Sequence, residues 1–315
     1  MMKCRKCNQR AVINMRQHKL ALCDEHFLTW VINQTERSIR KYDMFTHEDR
    51  VLIAVSGGKD SLALWDVLNR LGYQTAGFYV NLGIDDETAY SSKSYQLAVD
   101  FAQKYNLKLH AFQVDKTYGA TIPEMAALSR RSKNKTCSIC GLVKRHSFNK
   151  FAMENGFSVF VTGHNLDDEV AVLYNNTLSW QLDFLRRQAP VLPAKPGLIK
   201  KAKPFCRFYE RETAAYALLR GIEYIEEECP YADGSTTIAI KTILNQLEHN
   251  HAGTKLAFYL KFLKAKPELF PQLGESLVPQ DLLFSCPGCQ QPTPKEGDCA
   301  FCRLISEVQT KKMAK

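Results

Sequence analysis

The chain has 315 residues, 45% of them hydrophobic and 24% charged, and these ordinary values exclude a disordered, collagen-like or coiled-coil protein. Its formal net charge is +9, from 42 Lys and Arg against 33 Asp and Glu. No run of about 18 apolar residues is present and the first residues are polar, so we expect no membrane span, no signal peptide and a cytoplasmic location.

Four metal-binding side chains near each end of the chain form paired Cys-x2-Cys or Cys-x2-His motifs. They are Cys4, Cys7, Cys23 and His26 at one end, and Cys286, Cys289, Cys299 and Cys302 at the other. Thiols in a reducing compartment bind metal rather than form structural disulfides, and zinc takes four such ligands tetrahedrally. The spacing predicts a structural zinc site at each end. A [4Fe–4S] cluster is less favoured there, because paired knuckles and a histidine suit zinc.

Between these sets, apolar runs alternate with helical patterns, which predicts an α/β fold with an open parallel sheet and helices on both faces. The predicted strands cover residues 51–55, 75–82, 107–114, 157–162 and 197–201. The predicted helices cover residues 62–71, 91–105, a stretch after Cys140, and 209–220. We expect an N-terminal zinc finger over residues 1–32, a central domain over 33–265, and a linker with a zinc ribbon over 266–315. Prolines over 265–279 predict a semi-rigid connector, and residues 311–315 are expected to be mobile.

The first predicted strand leads into the hexapeptide Ser56-Gly57-Gly58-Lys59-Asp60-Ser61. Two glycines allow backbone N–H groups to approach a phosphate closely, and the helix that follows presents the positive end of its dipole. The Walker A and GxGxxG patterns are absent. A solvated turn would not need a buried strand before it and an amphipathic helix after it, so the string predicts a phosphate cradle at the carboxyl end of a strand.

A second strand-to-helix turn reads Thr162-Gly163-His164-Asn165-Leu166-Asp167-Asp168-Glu169. Gly163 allows close approach of the backbone, and the acids fall in the first helical turn, where they can cap the helix. The same carboxylates beside a phosphate cradle can hold Mg²⁺, or one of them can transfer a proton at the reacting centre. The residues alone leave these three roles open.

Three further cysteines are spaced differently, because Cys137 and Cys140 begin a helical stretch and Cys229 stands alone before Pro230. Three thiolates leave a metal or cluster one open coordination position, which catalysis requires. Alternatively, a Cys-x2-Cys pair at a helix start is reactive and can carry persulfide or form a disulfide. Cys229 can also be a buried core residue, as we expect for Cys206.

The hexapeptide resembles the PP-loop of the ATP pyrophosphatase family (HUP-like fold), whose members split ATP between the α and β phosphates. The order of all the motifs, including Cys-x2-Cys-Gly-x2-Lys-Arg, Gly-His-Asn-x-Asp-Asp-Glu and a lone Cys-Pro-Tyr, is similar over nearly the whole chain to the tRNA 2-thiouridine synthetases. This resemblance implies a [4Fe–4S] cluster held by Cys137, Cys140 and Cys229. It also implies a catalytic acid at Asp168, and catalytic roles for Lys144 and these three cysteines. The nucleotide contacts that it implies are Ala54, Ser56, Gly57, Gly58, Lys59, Asp60, Ser61, Val80, Lys144 and Gly163. Without the resemblance, Lys144 would be interpreted as a surface lysine.

The resemblance also implies a reaction, in which ATP and Mg²⁺ adenylate O2 of a tRNA uridine and sulfur delivered through the cluster expels AMP. It implies a ubiquitin-like carrier with a C-terminal thiocarboxylate as sulfur donor, and a homodimer. T-loop and wobble uridines both fit these motifs. Two alternatives stay open: a persulfide or disulfide mechanism without a cluster, and a non-catalytic zinc-ribbon protein that binds RNA.

Two basic stretches fit a tRNA substrate. Residues 128–150 hold seven Lys or Arg and no acid, and residues 186–203 hold six and no acid. The phosphates of RNA bind such stretches in a salt-dependent way, and an ordinary charged surface is the alternative for either stretch taken alone.

Overall fold

The computed structural model of the chain describes residues 2–85, 88–129, 136–232, 236–270 and 283–313. Its N-terminal module is an antiparallel hairpin of strands β1 (Ile13–Met15) and β2 (Leu20–Leu22), followed by helix α1 (Asp24–Lys41). Phe27 and Val31 of α1 are buried in the main core, so this helix joins the module to the rest of the molecule. Because α1 crosses the expected boundary between residues 32 and 33, the first two units share a helix.

A mostly parallel sheet occupies the centre of the molecule. Its strands are β3 (Arg50–Val55), β4 (Gln74–Asn81), β5 (Lys108–Gln113), β6 (Val159–Val161), β7 (Val191–Leu192) and β8 (Lys200–Ala202). Their order is β5-β4-β3-β6-β8-β7, and among the described strands of this sheet only β7 runs antiparallel, at an edge. The predicted open parallel sheet is confirmed except at β7, whose 2 residues are too few to show a periodicity.

Helices cover the sheet and extend the chain beyond it. They are α2 (Lys59–Arg70), α3 (Tyr90–Lys104), α4 (Val114–Tyr118), α5 (Ile122–Leu128), α6 (Thr136–Glu154), α7 (Leu166–Leu178), α8 (Leu182–Arg187), α9 (Glu210–Leu219), α10 (Thr236–Asn250) and α11 (Thr254–Leu269). The predicted helices at 62–71, 91–105 and 209–220 are confirmed as α2, α3 and α9, and the stretch after Cys140 belongs to α6. The helices α10 and α11 were not predicted.

The strand order reverses at β3, which places two sequence motifs side by side. The strands β4 and β5 lie on one side of β3, and β6 and β8 lie on the other. The turns after β3 and β6 therefore leave the carboxyl ends of adjacent parallel strands in opposite directions. The crevice between two such turns is where open α/β sheets bind ligands. Side chains alternate along β3, so Val51 and Ile53 belong to one apolar core and Leu52 to a second core on the opposite face.

The C-terminal residues form a small hairpin of β9 (Phe284–Ser285) and β10 (Pro292–Thr293), followed by helix α12 (Ala300–Met313). This helix packs against α5 and α6, and the ring of Phe301 stacks on His146 with centroids 3.6 Å apart. Lys311 Nζ donates to the Leu128 carbonyl at 2.6 Å, and Lys312 Nζ donates to a carbonyl oxygen after α4. The expectation of a mobile tail was therefore wrong at Lys311 and Lys312.

The connector before this hairpin is partly helical, because α11 continues to Leu269 and includes Pro267. The expected boundary between residues 265 and 266 thus lies inside a helix, and residues 271–279 of the predicted connector lie outside the described residues. In the part of the chain that the structure describes, no helix combines the length and the apolar character needed to cross a bilayer.

Candidate active site

The loop of residues 56–61, after β3, is closed by the side chains of its two serines. Ser61 Oγ accepts a hydrogen bond from Ser56 N at 3.2 Å and donates one to the Gly58 carbonyl at 2.9 Å. Gly57 has a φ of +74°, and a Cβ there would lie 2.3 Å from the carbonyl oxygen of Ser94, so only glycine fits. Since α2 begins at Lys59, the loop curls around a helix N-terminus, a position that favours an anion.

The turn after β6 packs directly on this loop at Gly163. A Cβ at position 163 would lie 2.8 Å from the backbone carbonyl of Asp60 and 2.9 Å from Ser61 N. Asn165 Nδ2 donates to Asp60 Oδ1 at 3.3 Å, and Thr213 Oγ1 donates to the same oxygen. Burial raises the pKa of Asp60. The two turns predicted to bind the nucleotide therefore form one continuous surface.

The three consecutive acids of this turn have three different lysine partners. They pair as Asp167 with Lys255, Asp168 with Lys241, and Glu169 with Lys203. Asp167 and Glu169 are buried, whereas the Asp168 side chain is 27% exposed. Of the three roles left open by the sequence, helix capping is present, because Asn165 N donates to Asp168 Oδ2 and Asp168 N donates to Asn165 Oδ1. Asp168 is also the acid of this turn that a bound ligand can reach.

A chain of charged side chains links Asp168 to the 56–61 loop. Lys241 Nζ lies 2.6 Å from Asp168 Oδ1 and 3.1 Å from Glu210 Oε2. Glu210 Oε1 lies 2.8 Å from Lys59 Nζ, which lies 3.2 Å from Asp60 Oδ2. Burial alone would lower the pKa of Lys241, but Asp168 and Glu210 outweigh it and raise this pKa. Two lysines thus face three carboxylates, which leaves one excess negative charge before any phosphate binds.

Sequence reasoning missed Glu210, Lys241 and Thr213 in this site. Ile240 and Leu244 of α10 are buried at a helical spacing, and that pattern is the signal that could have located the helix. Nothing in the sequence selects Lys241 from the other lysines, because its importance comes from the placement of α10 beside α7.

The structure brings Cys137, Cys140 and Cys229 into one environment. Cys137 Sγ lies 3.2 Å from the carbonyl oxygen of Tyr231, close to Cys229 in the chain. Burial raises the pKa of Cys229, the neighbouring thiols of Cys140 and Cys137 raise it further, and Lys144 opposes them. Cys140 and Cys229 both pack against the second apolar core. Three thiols and Lys144 therefore share one site, in which Cys140 and Cys229 are partly buried and Cys137 is exposed.

This cysteine site adjoins the 56–61 loop. Ile225 N, in the segment that leads to Cys229, donates to the Gly57 carbonyl at 2.9 Å. Ala54 and Val80, near the carboxyl ends of β3 and β4, pack in the same second core as Cys140 and Cys229. The predicted nucleotide contacts and the predicted cluster ligands therefore lie at the same edge of the sheet. Their individual roles stay predictions.

The two end sets have the geometry of sites for a single metal ion. In each set, the four ligand atoms lie within 4.8 Å of one another, and no further set of this kind occurs among the described residues. Cys23 Sγ lies 3.2 Å from His26 Nδ1 and 3.6 Å from Cys7 Sγ, and Cys289 Sγ lies 3.7 Å from Cys299 Sγ. Tetrahedral zinc with Zn–S bonds of about 2.3 Å needs sulfur atoms about 3.8 Å apart, so both sets fit zinc. The three central thiols are not among the sets that meet this criterion, and their role as cluster ligands stays a prediction.

The two basic stretches meet beside the cysteine site. Residues 130–135 of the first stretch lie outside the described residues, but Arg145 of α6 comes near Lys201 of β8. Burial lowers the pKa of Lys201, and the charge of Arg145 lowers it further. The Arg145 guanidinium lies back over Gly141, where a Cβ would be 3.1 Å from Nη1. Two neighbouring cations therefore lie next to the helix turn that holds Cys140.

The fold and the site define an α/β protein with a phosphate-binding loop, and comparisons with known proteins agree. Residues 29–234 match the PP-loop domain, and residues 3–28 match the N-terminal LIM domain of 2-thiouridine synthetase TtuA. The chain therefore belongs to the PP-loop family, which confirms the resemblance drawn from the motifs.

Individual relatives match almost the whole chain. A tRNA-5-methyluridine(54) 2-sulfurtransferase from Thermus thermophilus is 48% identical over 98% of this chain and 92% of its own length. A protein of the same name from Thermotoga maritima is 40% identical over 99% of this chain and 98% of its own. The solved structure of the U34-tRNA thiolase NcsA from Methanococcus maripaludis with its [4Fe-4S] cluster has a TM-score of 0.75 at 24% identity, covering 88% of this chain and 94% of that one. The similarity to this last structure shows the fold alone.

Proposed function

We propose that the chain is an ATP-dependent tRNA 2-sulfurtransferase, which replaces O2 of a uridine with sulfur. The observation that carries this proposal is the meeting of the 56–61 loop, the Asp168 turn and three cysteines at one sheet edge, with Ile225 hydrogen-bonded to Gly57. A PP-loop alone fits several reactions that use ATP, but three thiols beside it have a use in sulfur transfer. The names of two relatives that match nearly the whole chain support this activity, and they favour position 54 of the tRNA as the target.

The first step activates a carbonyl oxygen, which is a poor leaving group. The backbone N–H groups of the 56–61 loop and the N-terminus of α2 would bind the ATP phosphates. Uridine O2 then attacks the α-phosphorus, a new O–P bond forms, the α–β bond breaks and pyrophosphate leaves. The excess negative charge of the site and the charges of ATP call for a divalent cation, for which Asp60 and Asp168 supply carboxylates, and Lys144 would add a positive charge from α6.

The second step exchanges oxygen for sulfur. Sulfide sulfur attacks C2 with its electron pair, a C–S bond forms, the C2–O bond breaks and AMP leaves with the former O2. Where a thiocarboxylate supplies the sulfur, water hydrolyses its acyl–sulfur bond and the carrier leaves as a carboxylate, so no external oxidant or reductant is needed. A [4Fe–4S] cluster bound by Cys137, Cys140 and Cys229 would supply an iron without a protein ligand, to which a sulfur atom can bind. The donor set fits this group, because two partly buried thiols and the exposed Cys137 thiol face one another and three thiolates would leave one coordination position open. A ubiquitin-like carrier protein is the proposed sulfur donor.

The tRNA would reach this site across the surface formed by α6 and β8. Arg145 and Lys201 are neighbouring cations on that surface, and phosphates would neutralise both. A homodimer in the cytoplasm, with Mg²⁺ at the nucleotide and Zn²⁺ in both end sets, completes the proposal. Light scattering after size-exclusion chromatography tests the dimer.

The decisive experiment measures metal content and tRNA thiolation together. The chain and its Cys229→Ala variant are purified without oxygen and analysed for iron, sulfide and zinc. Each is then incubated with ATP, sulfide and unmodified tRNA, and the nucleosides are analysed by mass spectrometry. We expect about four irons and about two zincs per chain, with iron and thiolation both lost in the variant.

Other outcomes support the alternatives. Thiolation with zinc but without iron, from cells able to load clusters, supports the persulfide mechanism. Failure of the intact chain to bind ATP supports a non-catalytic RNA-binding protein. Modification at position 34 instead of 54 would change the assigned target and leave the chemistry in place.

A further inference from the structure

We propose that Lys241 is a positioning residue for Asp168, and this inference rests on the proposed function. The Asp168 carboxylate is held at both oxygens, because Oδ2 accepts a hydrogen bond from Asn165 N at 3.1 Å and Oδ1 lies 2.6 Å from Lys241 Nζ. The first contact is made within the cap of α7, and the second comes from a different helix. Without Lys241, the carboxylate would keep one of these two contacts and could rotate about its χ torsions.

Lys241 also connects Asp168 to the phosphate loop. Its Nζ contacts Glu210 Oε2 at 3.1 Å, and the other oxygen of Glu210 contacts Lys59 Nζ at 2.8 Å. The carboxylates of Asp60 and Asp168 are close enough to repel each other, and Lys241 and Lys59 offset that repulsion. The position of the Asp168 side chain relative to the loop therefore depends on a cation that no sequence motif includes.

A structural role for Lys241 is the main alternative, and the packing of α10 counts against it. The helix is anchored on either side of Lys241 by Ile240 and Leu244, which are 8% and 4% exposed. The side chains of Lys241 and Asp168 are 22% and 27% exposed, so the pair is partly solvated and its loss should cost less stability than the loss of one partner of a fully buried pair. Removing the charge should therefore leave the fold intact. We expect the main effect of the substitution to be a change in the position of the Asp168 carboxylate.

The location of α10 connects the pair of Lys241 and Asp168 to the cysteine site. This helix follows directly on the segment that carries Cys229, and that segment is bonded to the phosphate loop through Ile225 and Gly57. The chain thus contacts the nucleotide site before and after Cys229, at Gly57 through Ile225 and at Asp168 through Lys241 of α10. The pair of Lys241 and Asp168 is the second of these two connections.

A double-mutant cycle tests the inference. The variants are Lys241→Met, Lys241→Arg, Asp168→Asn, and the combination of Lys241→Met with Asp168→Asn. Lys93→Met is the matched control, because Lys93 forms an exposed ion pair with Glu227 at 3.1 Å. The measurements are kcat and KM for ATP in AMP release and tRNA thiolation, the equilibrium binding of an ATP analogue, iron content and the melting temperature.

We expect Lys241→Met to lower kcat about 10- to 100-fold, which corresponds to the loss of one hydrogen bond to a charged group. KM for ATP should change by less than about threefold, iron content should stay unchanged, and the melting temperature should fall by no more than a few degrees. Lys241→Arg should recover most of kcat. In the Asp168→Asn background, Lys241→Met should add no further loss, because its effect acts through that carboxylate.

Four results would overturn the inference. They are unchanged kcat in Lys241→Met, a loss confined to KM and ATP binding, a loss equal to that of Lys93→Met, and a loss that multiplies with that of Asp168→Asn. The proposed function can fail without the inference. If the intact chain releases AMP from ATP but does not thiolate tRNA, the proposed function is wrong, and the double-mutant cycle still tests Lys241 on AMP release. If the intact chain does neither, both proposals are wrong.

Discussion

Gly163→Ala should impair nucleotide binding as well as destabilise the protein. The added Cβ would lie 2.8 Å from the carbonyl carbon and oxygen of Asp60 and 2.9 Å from Ser61 N. Ordinary contacts to a Cβ begin near 3.4 Å, so the loop of residues 56–61 must move by roughly 0.6 Å, and backbone atoms cannot yield as a flexible side chain does. Overpacking of this kind costs about 1–3 kcal/mol, whereas a displacement approaching 1 Å at a reacting site can cost on the order of 100-fold in rate.

The matched control is Gly72→Ala, at a glycine with a φ of +77° and no atom within 4 Å of the added Cβ. It should cost about 1–2 kcal/mol through backbone strain alone, because an L-residue is disfavoured at such a φ. Calorimetric titration with an ATP analogue and thermal unfolding are measured on both variants. We expect affinity to fall at least about tenfold in Gly163→Ala and to stay unchanged in Gly72→Ala. Equal affinity in the two variants would refute the close packing of the two turns as the reason for glycine at position 163.

Three further predictions concern the C-terminal ribbon and the tRNA surface. Burial lowers the pKa of His146 to about 4, and its ring nitrogens have no hydrogen-bond partner in the described part of the chain. Because the unfolded state binds the proton more readily, the free energy of unfolding should fall by roughly 2 kcal/mol between pH 7 and pH 5 in denaturant titrations. The His146→Phe variant should lack this dependence, and a pH-independent difference in stability between it and the intact chain would contradict the prediction. Cys299→Ser should lower the zinc content from about two to about one per chain. It should also release Phe301 from His146, which protease cleavage near the C-terminus would detect. Retention of both zincs would exclude a four-ligand site there. Arg145→Gln combined with Lys201→Gln should weaken tRNA binding and lower the salt slope of the binding constant by about two, and an unchanged slope would place the tRNA elsewhere.

The amino-acid sequence by itself determined the parts of this protein that depend on local chemistry. Paired Cys-x2-Cys spacings specify four-ligand metal sites within short turns, and the end sets have that geometry. The buried apolar run 51–55 followed by Ser-Gly-Gly-Lys-Asp-Ser specifies a strand, a glycine turn and a helix start, which the structure contains. Such signals survive in a single sequence because the interacting residues lie within one short segment of the chain.

Only the tertiary structure decided how the charges of the site are shared. Asp167, Asp168 and Glu169 are adjacent in the sequence and look equivalent, but three lysines from different parts of the chain distinguish them. Asp167 and Glu169 become buried members of ion pairs, and Asp168 stays accessible beside the loop. Which lysine meets which acid depends on the packing of α10 and α11 against α7, and contacts between residues so far apart in sequence leave no local pattern.

The same reason explains why the cysteines lie beside the nucleotide loop. It also explains why the residues at the end of α12 make contacts with the rest of the chain. Cys229 joins Cys137 and Cys140 because its segment crosses the carboxyl edge of the sheet and bonds to Gly57, a path that the strand order sets. Lys311 and Lys312 look like a solvated charged tail in sequence, but α12 lies across α5 and α6 and their ammonium groups reach backbone carbonyls there. Local spacing determined which residues can do chemistry, and the order of strands and helices determined which of them meet.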